Sequence, residues 1–417
     1  MPEGHQLLRF KEKVLDLLAE GAREHTVSAF WEYLLILEIC NKIVRNDKQR
    51  HMNDHTLFEG YRKIQQLYGA DKYISESDFS ERLRLILTRV SAEFERQYGA
   101  AKNVKLGNKE VSRLIYKHDL PALRKEVFEY LQKRDGVWIL VDNLDKGWPA
   151  SGLSLGDALI LRALVEAIKR VSKDLRQHDC EGFGTVFLRD DIYDSFVASS
   201  PDRAKSRRIA IDWEDPNLLR EILRKRITSS LDLPTGSSFE EVWSQVCCSH
   251  VEGEESSQFL IDRCLMRPRT LIDLVNACKS HAVNLRNNII EEEDLIKGAK
   301  LYSREMVENV NFEIQDVSNN ADDVLYAWVE TSRSMTEDDV LLHLREHGVG
   351  DDALHNLVQL LLYYAVLGIE EKDFTRYIYD FGYDMRKLSA VMKKRRSEGL
   401  LCLALNPAFW GGLDTCV

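Results

Sequence analysis

Residues 136–148 read GVWILVDNLDKGW, and this stretch decides how the rest of the chain is organised. Val137 to Val141 form an unbroken apolar run closed by Asp142, and a second carboxylate follows at Asp145. A short apolar run ending on a turn signal predicts a fully buried strand of a parallel sheet. Acids at the carboxyl end of such a strand suit Mg²⁺, or an attacking water, beside a bound triphosphate. Both acids also suit capping of a following helix, so the strand alone leaves two readings open.

Downstream, LSLGDALILRALVEAIKRVSKDLRQ (153–177) places Leu161, Leu164, Ile168, Val171 and Leu175 on one helical face. GFGTVFLRDD (182–191) predicts a second buried strand over Thr185–Leu188. RRIAIDW (207–213) is a third short apolar piece, leading into the helix PNLLREILRKRI. Buried strands alternating with helices predict a parallel, three-layer α/β unit. Upstream, the first 135 residues read as helices. FWEYLLILEICNKIV (30–44) is strongly apolar, and Phe79, Leu83, Ile86, Val90 and Phe94 form one buried stripe.

LDLPTGSS (231–238) is a linker by composition. Two helices follow, RPRTLIDLVNACKSHAVNL (267–285) and IIEEEDLIKGAKLYSREMVENV (289–310). The first turns Leu271, Leu274, Cys278, Ala282 and Leu285 inward. TEDDVLLHLREHG (336–348) opens with a capping box, Thr336 with Asp339. A turn with Gly348 and Gly350 leads into DDALHNLVQLLLYYAVLG. A basic helix, YDMRKLSAVMKKRRSEG, and a terminal strand, LLCLALNP, close the chain. Helix, tight turn, helix and strands predict a winged-helix module.

The bulk properties bound the function. A chain of 417 residues with 44% hydrophobic content buries two or three cores. Asp and Glu outnumber Lys and Arg by 68 to 57, and the net charge of −11 argues against a general polyanion-binding surface. No stretch approaches the length of a membrane span, and the N-terminal residues lack the apolar core of a secretory signal. The eight cysteines show no paired spacing, which points to free thiols in a reducing cytoplasm.

VWILVDNLDKGW, VFLRDDIYD, SRRIAIDW and RPRTLIDLVNACKSHA, in that order and spacing, resemble a family of bacterial P-loop ATPases related to the AAA+ and STAND groups. The similarity extends to FWEYLLILEI and the ending LNPAFWGGL. It implies a helix-dominated α/β fold with a partial P-loop NTPase parallel sheet. The helical part of the ATPase domain would be residues 1–135, the core with Walker B-like and sensor-like strands 136–230, the helical lid 231–318 and the winged-helix-like domain 319–417. The resemblance also implies ATP and Mg²⁺ as cofactors. Asp142 would hold Mg²⁺ through water, and Asp145 would support it or orient the attacking water. Arg189 would occupy the sensor-1 position, and Arg267 or Arg269 would be the lid arginine reading the γ-phosphate.

The chain departs from that family at one point. A phosphate-binding loop needs G-x-x-x-x-G-K followed by Ser or Thr, so that backbone N–H groups cradle the phosphates and Lys neutralises them. The nearest stretches, KLGNKEVS and EGFGTV, have the wrong spacing. In the family the loop lies just before the segment that PEGHQLL (2–8) resembles. The expectation is an N-terminally shortened form of a longer ATPase, inactive as this chain, rather than a nucleotide-independent relative.

Other residues carry bland alternatives. Arg189, beside Asp190 and Asp191, suits a local ion pair, and the RPR arginines suit a solvated helix start. Arg203, Arg207 and Arg208 stand where an arginine finger toward a second copy in a homo-oligomer would sit, although a charged loop fits them better. Cys247, Cys248 and His250 lack the second pair a zinc site needs, and His51 and His55 lie in a polar stretch. DDALHNLVQLLLYYAVLG offers Asp351, Asp352, His355, Asn356 and Gln359 but no cation, which suits a protein partner better than DNA. Arg386, Lys387, Lys393, Lys394, Arg395 and Arg396 form either a phosphate-contacting face or a solvated basic one. The reading is an ATP-dependent molecular switch acting in signalling or phage defence, with a nucleotide-independent interaction or DNA-binding scaffold as the alternative.

Overall fold

The computed structural model describes residues 20–70, 75, 79–98, 120–134, 136–142, 155–189, 192–193, 196–197, 208–315, 323–372 and 374–416. The chain divides into two compact units, Met1–Ser206 and Arg207–Val417. Both are dominated by helix, with small sheets.

The first unit is organised around the apolar helix α1 (Glu20–Asn46). Short α2 (Arg50–Asn53) and α3 (His55–Tyr68) follow, then α4 (Phe79–Tyr98) and α5 (Leu120–Leu131). Strand β1 (Gly136–Val141), helix α6 (Leu155–Gln177) and strand β2 (Glu181–Val186) form a βαβ unit. Leu161, Leu164, Ile168, Val171 and Leu175 of α6 are all buried, in the same core as Phe30, Leu34 and Leu37 of α1. Trp31 Nε1 donates to the Ile160 carbonyl at 3.1 Å, tying α1 to α6. Several charged groups inside this unit are paired. Arg82 is fully buried, 3.1 Å from Glu38 and bonded to Tyr68 Oη, and buried Asp47 accepts from Tyr130 Oη at 2.7 Å. Glu32 binds Arg170 at 2.8 Å, and Arg124 pairs with Asp174. Of the expected α4 stripe, Ile86 is buried; the side chains of Phe79, Leu83, Val90 and Phe94 lie outside the described residues.

Strands β1 and β2 are parallel, in register from Gly136 opposite Glu181 to Val141 opposite Val186. The expected second strand, Thr185–Leu188, is corrected to Glu181–Val186. Its glycines are the reason the sequence hid it. A Cβ at Gly182 would lie 2.9 Å from the Leu175 side chain, and one at Gly184 would collide with Ile168, so these positions must be bare for α6 to seat on the sheet. The expectation of fully buried strands is also corrected. Ile139 is buried, but on the opposite face Trp138 is 68% and Leu140 57% exposed. Trp138 stacks on exposed Phe183 with ring centroids 4.6 Å apart. Among the described residues, two strands with a helix on one side bury one face, so alternation replaces the double burial of a three-layer sheet.

In the second unit, residues 208–215 form no strand, and Ile209 is 92% exposed, which overturns the third-strand expectation. Helix α7 (Pro216–Ser230) begins at an Asp215 N-cap with Pro216 in the first turn. Its Leu219 and Leu223 enter the second unit's core, so this unit opens ahead of the expected linker at Leu231–Ser238. Next come α8 (Phe239–Trp243), the hairpin β3 (His250–Val251)–β4 (Glu254–Glu255) and α9 (Ser256–Asp262). Two long helices, α10 (Pro268–Leu285) and α11 (Glu292–Gln315), pack so closely that a Cβ at Gly298 would lie 2.5 Å from Cys278 Cα. Leu271, Leu274, Cys278 and Ala282 are buried as expected. Leu285 is not: the helix ends there on left-handed Arg286, leaving its last side chain 54% exposed.

The C-terminal part begins with a 3-10 turn, Val324–Trp328, and strand β5 (Ser334–Thr336). Thr336 caps α12 (Glu337–Glu346) by accepting from Asp339 N, and Gly348, at φ +87°, turns the chain into α13 (Asp351–Tyr363). Strand β6 (Leu367–Glu370) pairs with β7 (Thr375–Arg376), a 3-10 turn (Ile378–Phe381) leads to α14 (Met385–Ser397), and β8 (Cys402–Leu405) returns to the sheet. The antiparallel order is β5-β8-β6-β7. Short α15 (Pro407–Trp410) and Gly412 fold back on α11, where Ser303 Oγ donates to the Ala408 carbonyl and accepts from Gly412 N.

Candidate functional site

Because β1 and β2 are parallel neighbours, their carboxyl ends lie side by side. Val141 stands opposite Val186, and the pairing continues one step as Phe187 N donates to the Val141 carbonyl at 2.8 Å. Asp142 is the first residue past β1 and Arg189 the third past β2; both are exposed, and both interact with neighbouring groups. The Arg189 carbonyl accepts from Tyr193 N at 3.0 Å. An anionic and a cationic side chain therefore issue from one strand edge, where open α/β sheets bind ligands. Asp145 lies outside the described residues, as do Arg203 and Arg207.

Arg267 and Arg269 belong to the second unit. Pro268 starts α10 between them. Arg267, half-buried, ion-pairs with Glu313 near the end of α11 at 3.2 Å, so its charge already has a partner. Arg269 is exposed and makes no hydrogen bond or ion pair among the described residues. Of the two, Arg269 is the one available to an external anion.

Among the cysteine and histidine candidates, Cys247 and His51 are buried, Cys248 is half-buried, and His250 and His55 are exposed. Burial pushes the Cys247 thiol up, and holds Cys264 and Cys278 at about 12, which opposes thiolate ligation. His51 is buried, stacked on Tyr61 at 3.8 Å, with its Nδ1 against the Asp47 carbonyl. Among the described residues no group of three or more His, Cys, Asp or Glu side chains is placed to hold a metal.

The basic helix α14 divides. Arg396 makes a two-pronged bond to Glu337 at 2.6 and 2.7 Å, and Arg395 pairs with Glu371 at 3.2 Å, pinning α14 to α12 and to the β6–β7 hairpin. Lys387 sits 4.0 Å from Asp384. Arg386, Lys393 and Lys394 are exposed without an ion pair among the described residues. On α13, exposed Asp351 is held by Arg345 at 2.8 Å. Besides the buried pairs of the first unit, sequence reasoning missed a buried polar cluster in the second. Asp294 is wholly buried and accepts from His281 Nδ1, Asn287 Nδ2 and Glu291 N at 2.7, 2.8 and 3.0 Å. Burial raises its pKa, but these bonds outweigh burial and hold it below the ordinary range. Its only sequence signal was its place three residues into a helix start.

Residues 217–311 match the family described as the FunZ-associated C-terminal helical domain. They run from α7 to near the end of α11. Over 436 aligned residues the chain is 21% identical to a protein of Escherichia coli (strain K12) described as "Putative transposon gamma-delta 80.3 kDa protein". The alignment takes in 99% of this chain and 57% of that protein, so the chain spans little more than half of that relative's length. No solved structure matches.

Proposed function

We propose that the first unit carries the metal side of an ATP-dependent molecular switch, and that the second unit carries its lid and an interaction module. The observation behind this reading is the parallel β1–β2 pair, which sets Asp142 and Arg189 at adjacent carboxyl ends. A carboxylate there offers the hard oxygen ligand that Mg²⁺ prefers, and a neighbouring guanidinium offers charge to a phosphate. The residues present fit the ion but not the whole nucleotide, since the sequence holds no Gly-x-x-x-x-Gly-Lys loop to cradle a triphosphate. ATP, when bound, would supply the transferable phosphoryl group. The chain's own contribution is a carboxylate to hold a metal-bound water and an arginine to bind anionic oxygen.

In the second unit, Arg269 is our choice for the lid cation, because Arg267 is taken by Glu313. The β5-β8-β6 strand order with the α12–turn–α13 pair supports a winged-helix-like module, with β7 and α14 occupying the connection between β6 and β8. Its α13 face, acidic and without cations, favours a protein partner, including a second copy of the chain. A nucleotide-independent scaffold that touches DNA through α14 is the second reading, favoured by exposed Arg386, Lys393 and Lys394.

The test is ATP turnover. This 417-residue chain should hydrolyse MgATP no faster than buffer. Any longer form that supplies a Gly-Lys-Ser/Thr loop should turn over, and Asp142→Asn should stop it. Turnover by the 417-residue chain, or turnover of the extended form indifferent to Asp142→Asn, would overturn the reading.

A further inference from the structure

His343 on α12 and His347, which caps that helix, are one helical turn apart, with ring centroids 4.5 Å from each other. Each ring spends one nitrogen on a backbone carbonyl. His343 Nε2 faces the Ala327 carbonyl at 2.5 Å, and His347 Nδ1 faces the His343 carbonyl at 2.9 Å. A carbonyl only accepts, so each of those nitrogens carries the ring proton. The other two, His343 Nδ1 and His347 Nε2, are left without a partner among the described residues. Imidazoles that bind metal ions nearly always donate their other N–H to a carbonyl or carboxylate, which fixes tautomer and ring orientation. Both rings already meet that condition. His343 is further held against the edge of Trp328, with centroids 5.6 Å apart, while His347 stands exposed at the end of the helix.

We propose that His343 and His347 form a two-nitrogen chelate for a late first-row divalent ion such as Ni²⁺, Cu²⁺ or Zn²⁺. Bonds of about 2.0–2.1 Å from each ring to one ion suit imidazoles whose centroids lie 4.5 Å apart. Imidazole pairs select these ions over Mg²⁺ and Ca²⁺, which prefer oxygen. Because no third His, Cys, Asp or Glu joins the pair among the described residues, water completes the coordination and the ion exchanges freely. The carbonyl of Ala327 lies in the 3-10 turn before β5. A metal on His343 polarises its Nε2–H, so binding tightens the attachment of α12 to that turn. This site is separate from the nucleotide reading and stands or falls without it.

The experiment is isothermal titration of the full chain with Ni²⁺ in a non-chelating buffer, with Co²⁺ absorption to identify the ligands. The expected result is one equivalent of Ni²⁺, unaffected by millimolar Mg²⁺, with a Co²⁺ spectrum free of thiolate charge transfer. His347→Ala and His347→Gln, at an exposed position, should each weaken binding at least about tenfold while circular dichroism stays unchanged, since a lost chelate arm removes one of two ligands. Ni²⁺ should raise the Tm of the wild type and not of either variant. Equal Ni²⁺ affinity in His347→Ala, or a Co²⁺ thiolate band that disappears when Cys248 or Cys416 is changed to Ser, would overturn the proposal.

Discussion

Replacing Asp294 with Ala removes the carboxylate that ties the start of α11 to the end of α10 and the connection between them. In the native fold that group accepts three hydrogen bonds while wholly buried, and His281, Asn287 and the Glu291 amide are its donors. A hydrogen bond to a charged group is worth about 1.5–3 kcal/mol, but the three donors share one acceptor group and the losses do not add fully. His281 is partly exposed and recovers water, whereas the other two donors lose their partner at the helix start. The net cost should be about 3–5 kcal/mol, the range for removing one side of a buried charged cluster. The assay is urea unfolding of the full chain, with hydrogen exchange on α10 and α11 to assign the affected unit. The pH dependence gives an independent check. Asp294 has a folded pKa below its unfolded value, so the stability it contributes is present above the unfolded value of 3.8 and is lost as pH falls through the folded one. Wild type should therefore lose stability below about pH 4 more steeply than Asp294→Ala. A cost under about 0.5 kcal/mol, or parallel acid profiles, would refute the reasoning.

Gly184→Val should destabilise the first unit by at least about 1–3 kcal/mol, because its Cβ collides with Ile168, and the loss should appear as a lower Tm without change in exchange over α10–α11. The double change Trp138→Ser and Phe183→Ser should cost less than about 1 kcal/mol by urea unfolding, since both rings already face water; a larger loss means that face is covered. In fluorescence anisotropy, duplex DNA should bind weakly and without sequence preference, and Arg386→Glu with Lys393→Glu and Lys394→Glu should abolish what binding there is. Sub-micromolar, sequence-dependent binding at physiological salt would contradict that expectation. Arg396→Glu should instead lower stability, because it turns the Glu337 pair into a repulsion.

The helical periodicities were legible because a helix buries a stripe set by local spacing. Leu161 through Leu175, Leu271 through Ala282 and the Thr336 cap all stand where the pattern put them. The β1 strand was legible for the same reason, but its burial was not. An apolar run says that a strand has fit a core, not how many layers cover it, and Trp138 and Leu140 are exposed in a two-stranded sheet. β2 was misread by position, because Gly182 and Gly184 look like breaks until α6 is seen against them.

Charge and capping were thus fixed residue by residue along the chain, whereas pairing was decided between segments far apart in it. Nothing local distinguishes Arg396 from Lys394, or Arg267 from Arg269. Glu337 and Glu313, brought close by the fold, neutralise one member of each pair and leave the other to solvent. The pairing of β1 with β2, which sets Asp142 and Arg189 past adjacent strand ends, rests equally on long-range hydrogen bonds across 45 positions of sequence. Local spacing determines which face of a helix is apolar, through backbone geometry alone. Which charges stay free depends on partners that only the closed chain supplies.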